Sequence, residues 1–203
     1  MIQLECMCIK NPHTFLCVVG HIRQSTVITI ISIIISEEDK KESVKVSLLL
    51  KRIELIDGHY VNTESDIMSQ QQPFIISLLL GYNHELKAHE LEEMMKIIFL
   101  IWEYFKDVKQ INEVKISESQ FERIHMRNIY MLEYFEEEKD ESEKLELVDS
   151  DLRHLNSKAL FTGVLYQFNH KQALLDMRDK ERGILLIGLK SLIECFEEIV
   201  NNK

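Results

Sequence analysis

Six apolar residues in a row, Ile97-Ile98-Phe99-Leu100-Ile101-Trp102, constrain this chain more than any other stretch. They lie inside residues 84–106, whose first half carries Glu85, Lys87, Glu90, Glu92 and Glu93 among good helix formers. A helix with one apolar stripe lies on a surface, whereas a helix apolar all round is enclosed on every side. The pattern therefore predicts a helix over 84–106 that enters from solvent and ends inside a core. Residues 94–105 are its buried part, with the only tryptophan, Trp102, near the end. Asn83 stands where its side chain can cap the first turn.

Upstream, the periodicity is that of strands. Ile2, Leu4, Cys6 and Cys8 alternate with Gln3, Glu5 and Met7, the pattern of a half-buried strand. Lys10-Asn11-Pro12-His13 reads as a turn, since proline fixes its own φ and moves its predecessor out of the helical region. Residues 14–19 follow as a second strand and stop at Gly20. Residues 26–36 are dense in β-branched side chains and apolar on both faces. They predict an inner strand, with a buried helix as the alternative that periodicity leaves open. Residues 37–42 read as a charged loop. Val44, Val46 and Leu48 then alternate with Lys45 and Ser47, and the strand runs on through Ile53 and Leu55. Asp57-Gly58 between apolar runs signals a hairpin, with residues 59–61 returning.

After the polar stretch 62–72 the patterns become helical. Residues 74–80 form an apolar run ending at Gly81, and 108–114 read as a connector. Ser117 opens a helix whose stripe is Phe121, Ile124, His125, Asn128, Ile129, Leu132 and Phe135. Residues 136–145 read as its frayed acidic end and a loop, with Asp149-Ser150-Asp151 as caps for a helix near Leu152. Residues 157–168 and 184–200 are apolar enough for core helices. Gly188 inside the latter implies close approach of a neighbouring helix, since glycine there costs up to about 1 kcal/mol against alanine. Strands in a block followed by helices in a block predict an α+β fold. Its parts are an antiparallel sheet of about five strands over 1–62 and about five helices over 63–203, packed as one unit without a Pro/Gly-rich linker.

Charge bounds the partners. Residues 1–63 are neutral overall, so the whole formal charge of −10 lies in residues 64–203. Nucleic-acid backbones and anionic membranes call for clustered Lys and Arg, so neither is expected. No stretch reaches the roughly 18–20 apolar residues that span a bilayer. The N-terminal residues lack a basic-then-apolar leader pattern, and four cysteines then suggest reduced thiols. The expectation is a soluble cytoplasmic protein.

Motifs for chemistry are weak. Cys6, Cys8, His13, Cys17 and His21 are types that bind zinc, but no Cys-x2–4-Cys pair occurs, and core packing is the better reading. Glu122/His125 and Asp151/His154 have the i, i+3 spacing of di-metal bundles, yet chance alone supplies about one such pair. His84 and His89 are five apart and do not converge as metalloprotease histidines do. No glycine-rich phosphate loop or nucleophile elbow is present. Cys195 falls on an apolar stripe, so inert burial is expected. No metal or cofactor is expected, and no catalytic residue is assigned.

The remaining candidate is acidic. Residues 118–151 hold 12 acids and four bases. Tyr130, Tyr134 and Phe135 beside Glu136, Glu137 and Glu138 suit a docking surface, because aromatic anchors ringed by charge mark interfaces. The expected function is a non-enzymatic protein-interaction module: an adaptor, assembly factor or inhibitor, with self-association as a variant. The alternative is a small enzyme whose site assembles from separate elements.

Overall fold

The computed structural model describes residues 37–82, 86–138 and 140–201, and among these the regular secondary structure is helix, with no strand. In chain order the helices are α1 Glu37–Ile53, α2 Gly58–Gln71, α3 Pro73–Tyr82, α4 Ala88–Phe105 and α5 Lys109–Glu113. They continue with α6 Glu118–Glu137, α7 Glu141–His154, α8 Lys158–His170, α9 Gln172–Leu175 and α10 Asp179–Asn201. The strands expected over 2–9, 14–19 and 26–36, the Cys/His group of the first 21 residues, and Asn83 with His84 lie outside the described residues.

The α+β expectation is overturned by α1 and α2. As a strand, Val44, Val46 and Leu48 would share one face. Instead Val46 is buried while Val44 and Leu48 are exposed, and Ile53 is buried two turns on. Val46, Leu50 and Ile53 recur at four and three, so one stretch satisfied both periods and the helical one packs. The supposed loop 37–42 is the first part of α1; Lys51 and Arg52 sit in its last turn, where cations favour the helix dipole. Asp57-Gly58 makes no hairpin. Its turn type needs positive φ, which no described residue adopts. The Asp57 carboxylate instead accepts from the Tyr60 N–H at 2.8 Å and caps α2. The strand-to-helix change expected near residue 62 therefore falls inside a helix.

Helix α4 is the centre of the packing, as its sequence implies. Met94, Phe105 and every residue from 97 to 103 are buried, and α1, α8, α9 and α10 pack on it. It starts at Ala88, where the Glu90 carboxylate accepts from the Lys87 N–H at 2.8 Å. Its far end is fastened by polar groups. Trp102 Nε1 donates to Glu64 Oε2 at 3.0 Å. Lys106 Nζ lies 3.0 Å from Glu64 and 2.5 Å from Glu103. Glu103 also receives the Tyr60 hydroxyl and pairs with Arg52 at 3.0 Å. Burial and Glu103 push the Tyr60 phenol up, so it remains a donor. This cluster ties α1, α2 and α4 together.

Two glycines mark close approaches. A Cβ at Gly163 would stand 2.8 Å from Val46 Cγ1, which brings α8 onto α1. A Cβ at Gly188 would overlap the Tyr82 hydroxyl of α3, the close approach its sequence position implied. Helix α10 also packs along α6.

Candidate functional site

Ser117 caps α6, its hydroxyl accepting from the Gln120 N–H at 3.1 Å, so the helix begins where its sequence signalled. Phe121, Ile124, Asn128, Leu132 and Phe135 form its buried stripe. The aromatic trio of the expected docking surface is divided by this geometry. Tyr130 is 59% exposed and Tyr134 55%, one turn apart on one face, whereas Phe135 is buried. The Lys144 ammonium of α7 lies 5.5 Å from the centroid of the Phe135 ring. Glu136 and Glu137 are the last residues of α6, with Glu137 exposed and Glu138 half-buried just beyond.

The stretch expected as a frayed end and loop is helical to Glu137 and again from Glu141, so only a short connection separates α6 from α7. Asp140 caps α7 by accepting from the Ser142 N–H at 2.8 Å and from its hydroxyl at 2.6 Å, and these bonds hold its carboxyl below the ordinary range. Asp149-Ser150-Asp151, read as caps, instead lie well inside α7. Negative charge accumulates at the turn. The Glu143 carboxyl is raised by its hydrogen bond with Glu138, by the charge of Glu138, and by Asp140 and Glu146.

Beneath this edge α6, α7 and α10 share a buried polar seam. Lys190 of α10 is 5% exposed. Its Nζ donates to Asn128 Oδ1 at 2.9 Å, to Asp151 Oδ1 at 3.1 Å and to Glu194 Oε1 at 2.9 Å. Asn128 Nδ2 donates to Ser191 Oγ at 3.0 Å and to Glu194 Oε2 at 2.6 Å. Arg127 closes the outer side at 2.9 Å from Glu194. Every ammonium proton therefore has an acceptor, which is what allows a buried cation. Burial still raises the Asp151 carboxyl, although Lys190 opposes the shift.

The groups considered for catalysis are placed poorly for it. His125 stacks on Phe121 and lies 3.3 Å from Ser191 Oγ; burial lowers its pKa, so the ring is neutral at pH 7. Ser191 is fully buried and donates to the Ile187 carbonyl at 2.7 Å. Glu122 is exposed and His154 turns to the Ser150 carbonyl at 2.6 Å, so neither acid–His pair forms a unit. Cys195 is fully buried, as its apolar stripe implied, and burial with Glu198 and Glu194 pushes its thiol up to about 12. Among the described residues no three His, Cys, Asp or Glu side chains are grouped to hold a metal ion. No described helix is long and apolar enough to cross a membrane.

The seam is the part that sequence reasoning missed. Its one legible trace was Lys190, a charge in the otherwise apolar run Leu185–Ile193 apart from Gly188 and Ser191. Its partners lie 39 and 62 residues away, at Asp151 and Asn128. The chain matches no family model, no curated protein and no solved structure.

Proposed function

We propose that the protein is a cytoplasmic, non-enzymatic protein-interaction module: an adaptor, assembly factor or inhibitor. Its docking surface is the outer edge of α6 with the turn into α7. The observation that supports this reading is the pair Tyr130 and Tyr134. Both are more than half exposed, one turn apart, and bordered by Glu133, Glu137 and Glu138. Tyrosines supply large contact area at small entropic cost, and recur as anchors where interfaces are strongest. The surrounding carboxylates select a basic protein surface and speed its encounter. Phe135 is withdrawn from this surface and serves the fold.

The test is capture from native lysate with the intact chain as bait, compared with two variants. One is Tyr130→Ala with Tyr134→Ala. The other reverses charge at Glu136, Glu137 and Glu138 to Lys. Both keep the wild-type circular dichroism and melting temperature. Both lose the partner that the wild type retains, and its retention is weakened by salt. Equal capture by wild type and both variants refutes the assignment of this edge.

A further inference from the structure

We propose that α7 is a displaceable cover, and that an amphipathic helix of a partner, bearing a carboxylate, takes its place over Leu132 and Phe135 and against Lys190. The proposal rests on the reading of α6 as a docking edge and names how that edge is regulated.

The register of α7 carries the argument. Lys144 lies over Phe135, and Asp151 meets Lys190, which also holds Asn128. From Lys144 to Asp151 is seven residues forward; from Phe135 to Asn128 is seven residues back. Seven residues are two turns, so Lys144 and Asp151 project from one face of α7, as Phe135 and Asn128 do from one face of α6. Between the two contacts lie Leu132 on α6 and the half-buried Leu147 and Val148 on α7.

The attachment is light. No described side chain within α7 is buried, whereas α10 buries fourteen residues. Segments with few buried apolar contacts open at the lowest free energy, without global unfolding. Leu132, Phe135 and Ile187 are buried yet stand apart from the main core cluster, and among the described side chains of α7 only Leu152 packs against that core. Like charges gather at the hinge, where Glu138 and Glu143 face each other with Asp140 and Glu146 nearby.

Opening would also define its own ligand. Lys190 would keep Glu194 and Asn128 but lose Asp151, leaving one ammonium proton without its carboxylate. An incoming helix with apolar residues spaced like Val148 and Leu152, and an acid one turn from the first of them, restores each contact. Helix-in-groove recognition of this kind uses apolar anchors at helical spacing, and α7 itself is the template.

The probe is a fluorescein-labelled peptide with the sequence of residues 140–156, titrated by anisotropy against the full chain. A full-length variant carrying Val148→Glu and Asp151→Lys releases its own α7. It binds the peptide saturably and about tenfold or more tighter than the wild type does, because the wild-type site is occupied in cis. A peptide carrying the same two changes does not bind. Hydrogen exchange on the wild type needs no variant: α7 amides exchange ahead of those of α6 and α10. Equal or absent peptide binding by a folded variant overturns the proposal, as does α7 exchanging with the slowest amides. A wild-type dimer whose α7 protection vanishes on dilution assigns the site to a second copy and also overturns it. The assay contains no partner and leaves Tyr130, Tyr134 and Glu136–138 untouched in the chain, so its failure is separable from failure of the lysate capture.

Discussion

Replacing Trp102 tests whether the interior of α4 is the core. The side chain is fully buried, and its Nε1 supplies a hydrogen bond to Glu64, itself largely buried. Trp102→Ala removes both. Truncating a buried tryptophan costs about 3–5 kcal/mol through lost transfer energy and the cavity left behind. Loss of the donor to Glu64 pushes the cost toward the upper end, since leaving a buried acceptor unmet costs about 1–3 kcal/mol. Lys106 still holds the other Glu64 oxygen, which limits that part. For a chain of this size each kcal/mol lowers the melting temperature by about 2–4 °C, so Trp102→Ala melts about 8–20 °C below the wild type. Trp102→Phe keeps most of the apolar volume and loses the N–H, so it melts about 3–10 °C lower. Circular dichroism at 222 nm tracks both, because the variants lack the only tryptophan and have no indole emission. If Trp102→Ala melts within about 3 °C of the wild type, α4 is not enclosed and the reasoning from its all-round apolar sequence fails.

Gly188→Ala forces a methyl into the Tyr82 hydroxyl and destabilises by about 1–3 kcal/mol. Adding Tyr82→Phe recovers part of that loss, and a double-mutant cycle in urea without coupling between the two sites would refute the contact. Glu197 lies on α10 but accepts from the Ser157 N–H at 2.6 Å and the Asn156 N–H at 3.1 Å, so it caps α8 from a distance. Glu197→Gln costs about 1.5–3 kcal/mol by denaturant unfolding, because these are charge-assisted bonds, and a neutral result removes the cap. Asp151 sets a pH dependence. Burial raises its carboxyl above 3.8 against the pull of Lys190, with Glu194 adding to the rise and Arg127 opposing it. The native state then binds the proton more tightly than the unfolded chain, so stability from this group is present at low pH and lost as pH rises through the native value. Asp151→Asn consequently gains on the wild type as pH rises from about 4 in urea titrations, and a difference that moves the other way refutes the burial argument.

How much of this was legible depended on whether a pattern had one physical solution or two. The α4 run had one, since six consecutive apolar residues cannot be half-solvated on any regular backbone, and it is enclosed. Ser117 with the stripe from Phe121 to Phe135 had one as well, because a cap and a 3–4 spacing over about four turns do not fit a strand. Residues 44–55 had two. Val44, Val46 and Leu48 satisfy a period of two, while Val46, Leu50 and Ile53 satisfy 3.6, and the alternation with Lys45 and Ser47 favoured the wrong one. Asp57 likewise serves a hairpin or a helix cap, depending on the conformation that residues 58–61 adopt. Cys195 was readable as buried and Gly188 as a close approach, because each property belongs to the position on its own helix.

The pairings of polar groups belong to tertiary structure alone. Glu64 with Trp102, Lys190 with Asp151 and Asn128, and Glu197 with Ser157 join residues 38 to 62 positions apart. A charge is tolerated at such depth only when its partner arrives from another helix, and a local window contains one member of each pair. So the chain by itself determined which segment must be buried, where α6 starts and that Cys195 lies inside. Packing decided that α1 and α2 are helices, that Phe135 turns inward while Tyr130 and Tyr134 remain outside, and that α7 is held over the seam by Lys190. The reason is physical: burial of a continuous apolar run is a property of the run, whereas the choice between two periods and the partner of a buried charge are settled only by the surface that comes to meet them.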